Sequence, residues 1–188
     1  MRIFRLCALL AGILPVCFLE PGMALPGQPT RQVKAWIQGH PTLRPGIGET
    51  LVVQKQDTAA KRFIFKASPF SPGNLDSKDS LGMIETETLS FYDKVNGVTL
   101  NRLEEALRVI YNAAIHQDYR NAEAILIYPT GPTSISGGLR GEIRVGNQYA
   151  YWVEQVINPD GSSHSGQIQV FLKEEVPTMV NNIQRNRQ

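Results

Sequence analysis

The stretch LRGEIRVGNQYAYWVEQVI, residues 139–157, alternates side chains of opposite polarity up to a Gly146-Asn147 pair and then returns. That pattern admits little besides an antiparallel β-hairpin. Leu139, Gly141, Ile143 and Val145 point one way, and Arg140, Glu142 and Arg144 the other. A two-residue turn at Gly146-Asn147 pairs Ile143 with Ala150 and Gly141 with Trp152, whose indole would cover the glycine. The other face then sets Arg144 beside Tyr149, Glu142 beside Tyr151 and Arg140 beside Val153. NPDGSSHSG turns the chain again, and Gln167 to Leu172 makes a third strand.

The second strong signal is TLNRLEEALRVIYNAAI, residues 99–115. Thr99 suits an N-cap, and Leu100, Leu103, Leu107, Ile110 and Ala114 form an apolar stripe at helical spacing. Glu104 and Arg108 have the spacing of a helical ion pair. A shorter helix is expected over 28–39, capped by Thr30 and closed by Gly39. Strands are expected at Thr50 to Gln56, Lys61 to Ala67, Ile84 to Tyr92 with a solvated face, and Ala124 to Tyr128, which reads as buried. A C-terminal helix or tail covers 176–188. This order, with hairpins and no βαβ alternation, predicts an α+β domain over 25–188: a mostly antiparallel sheet with one main amphipathic helix on one face.

The first 24 residues read as a signal peptide. Arg2 and Arg5 precede the apolar run Leu6 to Leu19, and Gly22 and Ala24 stand where a signal peptidase cuts. The rival, an uncleaved anchor, needs about 20 apolar residues, and Pro15 interrupts this run. Neither cysteine follows a lipobox. Cleavage removes both cysteines, Cys7 and Cys17. An exported chain without thiols has no disulfide, thiolate metal site or cysteine nucleophile, so a core must hold it. The expected address is periplasmic, thylakoid-lumenal or extracellular, with no membrane span after cleavage. Removing Arg2, Arg5 and Glu20 from 19 basic and 17 acidic residues leaves a net charge near zero, and a nucleic-acid partner is not expected.

Cofactor and catalytic signatures fail: there is no HExxH, GxSxG, Walker loop, GxGxxG after a strand, or calcium loop around Asp160-Gly161. No cofactor and no metal site are expected. His116 and Asp118 could act as base and orienting carboxylate in a hydrolase pocket closed by the Pro69–Gly82 loop. The structural alternative is a polar joint at the end of the long helix, where the dipole favours a histidine. His40, His116 and His164 share no metal-ligand spacing, and Glu104-Glu105 suits a solvated helix start. Two binding readings remain. Arg140, Glu142, Arg144, Tyr149 and Tyr151 combine guanidinium groups and aromatics as protein interfaces do, against an ordinary solvated sheet face. Alternatively, sheet and helix could enclose an apolar cavity around Trp152, Phe63 and Phe65.

The blocks AWIQGHPTLRPGIGE, NGVTLNRLEEALRVIY and YAYWVEQV resemble a family of small exported cyanobacterial proteins. The resemblance implies a periplasmic or thylakoid-lumenal address and carries no site residues. The expectation is a non-enzymatic exported domain that binds or scaffolds another envelope or lumenal protein. N-terminal sequencing of protein recovered from its host is expected to begin at Leu25. A retained Met1 would remove the export reading and the thiol argument together.

Overall fold

A computed structural model describes residues 25–70, 82–129 and 137–185. The expected export segment, most of the Pro69–Gly82 loop, residues 130–136 and the last three residues lie outside it. The elements are α1 (Thr30–Gly39), β1 (Val52–Thr58), β2 (Lys61–Ser68), β3 (Thr86–Asp93), α2 (Leu100–Ile110), α3 (Ala113–Asn121), β4 (Glu123–Tyr128), β5 (Gly138–Val145), β6 (Ala150–Ile157), β7 (Ser163–Phe171), a 3-10 turn (Lys173–Glu175) and α4 (Val176–Arg185).

The strands form one seven-stranded sheet in the order β1-β2-β3-β7-β6-β5-β4, antiparallel throughout. After the β1–β2–β3 meander, α2 and α3 carry the chain from the middle of the sheet to its far edge. The β4–β7 meander then walks back until β7 lies against β3. The α+β class and the antiparallel sheet hold. The single main helix does not, because helices cover both faces.

Register puts Phe65, Leu89, Ile168 and Val153 in one row, all at most 2% exposed. On this first face they join Val33 and Ile37 of α1, Leu103 and Leu107 of α2, and Ile115 and Tyr119 of α3 in one core. The second face carries Ile143, Ala150 and Phe171, which pack with Met179 and Ile183 of α4.

The expected 99–115 helix is two helices. Thr99 caps α2 as predicted, its side chain accepting from the Arg102 N–H. The helix then stops at Tyr111, and Asn112 caps α3 by accepting from the Ile115 N–H at 3.0 Å. Asparagine propagates a helix poorly but starts one well, so the break was written in the sequence. Ala114 is consequently exposed. Arg108 pairs with Glu105 and not with Glu104. At α1, Pro29 holds the N-cap position and Thr30 is already helical, as is Gly39.

Three strand expectations change. β3 is not a solvated strand; it lies inside the sheet, with Glu87 and Leu89 fully buried. β4 is not buried; it is an edge strand with Ile125 and Ile127 45% and 56% exposed. The β5–β6 hairpin pairs Val145 with Ala150, Ile143 with Trp152 and Gly141 with Glu154, two residues from the expected register. The turn therefore spans 146–149, closed by the Gly146 N–H on the Tyr149 carbonyl at 2.8 Å. A two-residue slip keeps every side chain on its expected face, whereas a slip of one would have reversed them.

Gly141 is covered by Tyr128 of β4 instead of Trp152. A Cβ on Gly141 would stand 2.6 Å from the Tyr128 ring. The Trp152 Nε1–H donates to the Tyr128 hydroxyl at 2.6 Å, and that hydroxyl donates to Glu154 at 2.7 Å. Gly141→Ala is expected to cost about 1–3 kcal/mol through overpacking, read from urea denaturation. Gly39→Ala, where a Cβ meets nothing within 4 Å, is expected to leave stability unchanged or slightly raised.

Candidate functional site

His116 and Asp118 both belong to α3. At about 100° per residue, side chains two apart on a helix diverge by roughly 200°, so the pair does not converge. Asp118 is only 8% exposed. Its carboxylate accepts from the N–H groups of Asn147, Gln148 and Tyr149 at 2.8, 3.3 and 3.4 Å, and from the Tyr151 hydroxyl at 2.7 Å. Gly146 passes so close that a Cβ would collide with the carboxylate. His116 is half-buried on α3. There it adds a small pull to the lowering of the Glu105 carboxyl pKa, which comes mainly from Arg108.

Part of the Arg/Glu/Tyr face, Glu142, Arg144 and Tyr151, lies beneath α3. Tyr151 is fully buried, which corrects the expectation of an exposed aromatic there. Its ring meets Tyr119 edge-on at 5.4 Å, and burial, then the Asp118 hydrogen bond, raises its hydroxyl pKa. Arg144 donates to Glu142 at 2.6 Å and lies 5.2 Å over the Tyr119 ring. The Tyr119 hydroxyl stands 3.2 Å from Glu142 and 3.3 Å from Glu104. Burial, then those two carboxylates, pushes the phenol pKa up. Arg140 is exposed and donates to Gln155 at 2.8 Å, while Tyr149 is half-buried. A strand face reading Arg-Glu-Arg looks solvated; Arg140 is, but α3 roofs Glu142 and Arg144.

Glu87 went unrecognised in the sequence because alternation placed it on a wet strand. It is 0% exposed. The Tyr111 hydroxyl donates to one carboxyl oxygen at 2.7 Å, and the other oxygen has no partner among the described residues. Burial pushes its pKa up to about 8, opposed by the Tyr111 hydrogen bond. Tyr111 stacks on Trp36 with centroids 6.2 Å apart, and Trp36 contacts His40 at 4.5 Å. His40 Nε2 lies 2.8 Å from the Ile110 carbonyl; burial lowers its pKa and that carbonyl partly restores it. His164 sits elsewhere, 3.1 Å from the Asn158 amide. Among the described residues, no group of three or more His, Cys, Asp or Glu is placed to hold a metal ion.

The apolar cavity expected around Trp152, Phe63 and Phe65 is not assembled from those three. Trp152 packs on the second face with the α4 cluster, and Phe65 is fully buried on the first. Phe63 does line an open recess. It pairs across the strands with Phe91, ring centroids 4.9 Å apart, and these rings form the floor. Ala106, Val109 and Ile110 of α2 make the wall, enclosing roughly 460 Å³. Thr42, Asn101, Arg102 and Glu105 supply the polar rim. Val109, 47% exposed, also borders a second recess of roughly 600 Å³ beside Trp36, His40, Pro41 and Tyr111.

Arg102 stands at the rim, 5.6 Å over Phe91. Its Nη1 donates to Asp93 and to the Gly97 carbonyl, each at 2.8 Å. Asp93 is 1% exposed. The Asn96 N–H, followed by Arg102, holds its carboxyl well below the usual carboxylate range. No family model matches the chain, and no curated protein or solved structure does either.

Glu87 gives stability a defined pH dependence. The folded carboxyl holds its proton to about pH 8, whereas the unfolded chain releases it near the ordinary value of 4.5. The contribution is complete below the unfolded value and declines as pH rises through the folded one. Urea midpoints at pH 5 and pH 9 should show the wild type losing on the order of 1–3 kcal/mol relative to Glu87→Gln. Parallel pH profiles in the two proteins would refute the buried-acid assignment.

Proposed function

We propose that this chain is an exported, non-catalytic binding protein whose ligand is a small molecule with an apolar body seated on Phe63 and Phe91. The carrying observation is the recess itself: an aromatic floor, an aliphatic wall and a few polar rim groups, about 460 Å³ in volume. Small-molecule sites have this composition and run from about 300 to 1,000 Å³. The aromatic floor is held in place by the β2–β3 pairing and by α2 above it, so the site exists before the ligand arrives.

The reading moves the apolar-ligand expectation from Trp152 to the α2 side of the sheet. It also replaces the Arg/Glu/Tyr face as the point of engagement, since Asp118, Glu142, Arg144 and Tyr151 bind one another and α3. The hydrolase reading lacks support, because His116 and Asp118 diverge along α3. No helix among the described residues is long and apolar enough to cross a membrane. The signal-like N-terminus supports an envelope or lumenal setting.

The neutral, environment-sensitive dye N-phenyl-1-naphthylamine is expected to bind saturably at one site, with enhanced emission. Val109→Asp, which puts a charge on an exposed wall position, should weaken it about tenfold or more, since desolvating a carboxylate at that wall is unfavourable. Ile47→Asp, on a fully exposed residue outside the recess, should change nothing. Equal dye binding by wild type and Val109→Asp would overturn the proposal.

A further inference from the structure

We infer that the ligand of this recess is an amphipathic anion, its apolar body on Phe63 and Phe91 and its negative head at Arg102. The inference rests on the binding reading just given and adds the chemical class. A guanidinium offers five N–H donors in a planar fork. At Arg102 the structure commits Nη1 to Asp93 and Gly97, and leaves the Nε and Nη2 donors without a protein acceptor among the described residues. The side chain is 32% exposed and borders the recess, so these donors are available to a ligand at its mouth.

The neighbouring charges favour the same sign. Asp93 would cancel Arg102 if that were its sole partner. Its carboxylate also accepts from the Val95 and Asn96 N–H groups at 3.2 and 2.9 Å, so its charge is shared among several donors. Glu105, the other acid on the rim, is held by Arg108. Arg102 and Asn101 lie in the first turn of α2, where the helix dipole is positive. The Asn101 side chain is exposed at the rim and can add an amide donor. A carboxylate, sulfonate or phosphate head would therefore meet a charge-assisted donor next to an apolar floor, and such hydrogen bonds are about twice as strong as neutral ones.

The test displaces N-phenyl-1-naphthylamine with decanoate and with 1-decanol, which share an apolar chain and differ in the head. For the wild type, decanoate should displace the dye at about a tenth of the decanol concentration or less, with an advantage that shrinks as salt rises. Arg102→Gln should abolish that advantage and Arg102→Lys should restore part of it. Because Arg102 also holds Asp93, thermal midpoints accompany both variants. Asn101→Asp leaves the Asp93 pair intact and should weaken decanoate while sparing decanol.

If decanoate and decanol compete equally in the wild type, or if Arg102→Gln and Asn101→Asp leave the decanoate advantage unchanged, the anionic class is wrong and the apolar recess stands. If the dye binds but neither compound displaces it, the class is again overturned. If no dye binds at all, the binding reading fails and this inference fails with it.

Discussion

One buried carboxylate sets much of this architecture. Asp118 is largely withdrawn from water, and its charge is offset by three turn amides and the Tyr151 hydroxyl. An isolated carboxylate in such a place would be strongly unfavourable, whereas one with several donors is stable. The β5–β6 turn is thus wrapped around a group from a different element. A two-residue turn would withdraw the amides at 147–149, which explains why the hairpin opens to residues 146–149 and why Gly146 has no room for a side chain. The same contacts fasten α3 over β5 and β6, and α3 in turn roofs Glu142, Arg144 and Tyr151.

Much of the fold could be read from residue patterns, and the failures share a cause. The apolar stripe from Leu103 to Ile110 and the alternation through Arg140 to Val145 located α2 and β5 because they report local periodicity. Face assignment along the hairpin survived a wrong turn length because β side chains repeat every two residues. What periodicity does not report is which side of a sheet receives a helix. Glu87 alternates like a solvated residue and is buried; Ile125 and Ile127 read as core and lie on an edge. Asn112 carried a legible cap signal inside a run that looked like continuous helix. For the site, residue pattern marks Phe63, but its partners Phe91 and Val109 come from elements whose packing the sequence alone does not fix.

The division of labour among polar groups follows from a core built without sulfur bridges. Cys7 and Cys17 precede residue 25, and the body from there on is tied by buried hydrogen-bonded pairs. Tyr111 reaches Glu87, Tyr128 links Trp152 to Glu154, and Arg102 joins the β3–α2 turn to α2. Each device joins separate segments, as a disulfide would; the first two occupy their polar groups with one another, whereas Arg102 commits only Nη1. The recess beside Val109 differs: its walls are apolar and open, and its one guanidinium keeps donors in reserve.

The most direct test of the fastening role is amide hydrogen exchange at Asn147, Gln148 and Tyr149 in the wild type and in Asp118→Ala. Asn147 and Gln148 are exposed turn residues, so without the carboxylate their amides should exchange nearly as fast as in a free turn. Marked protection is expected in the wild type, lost in the variant at these positions before the central strands β3 and β7 are affected. Rapid exchange at Asn147 and Gln148 in the wild type, or unchanged protection in Asp118→Ala, would contradict the fastening role.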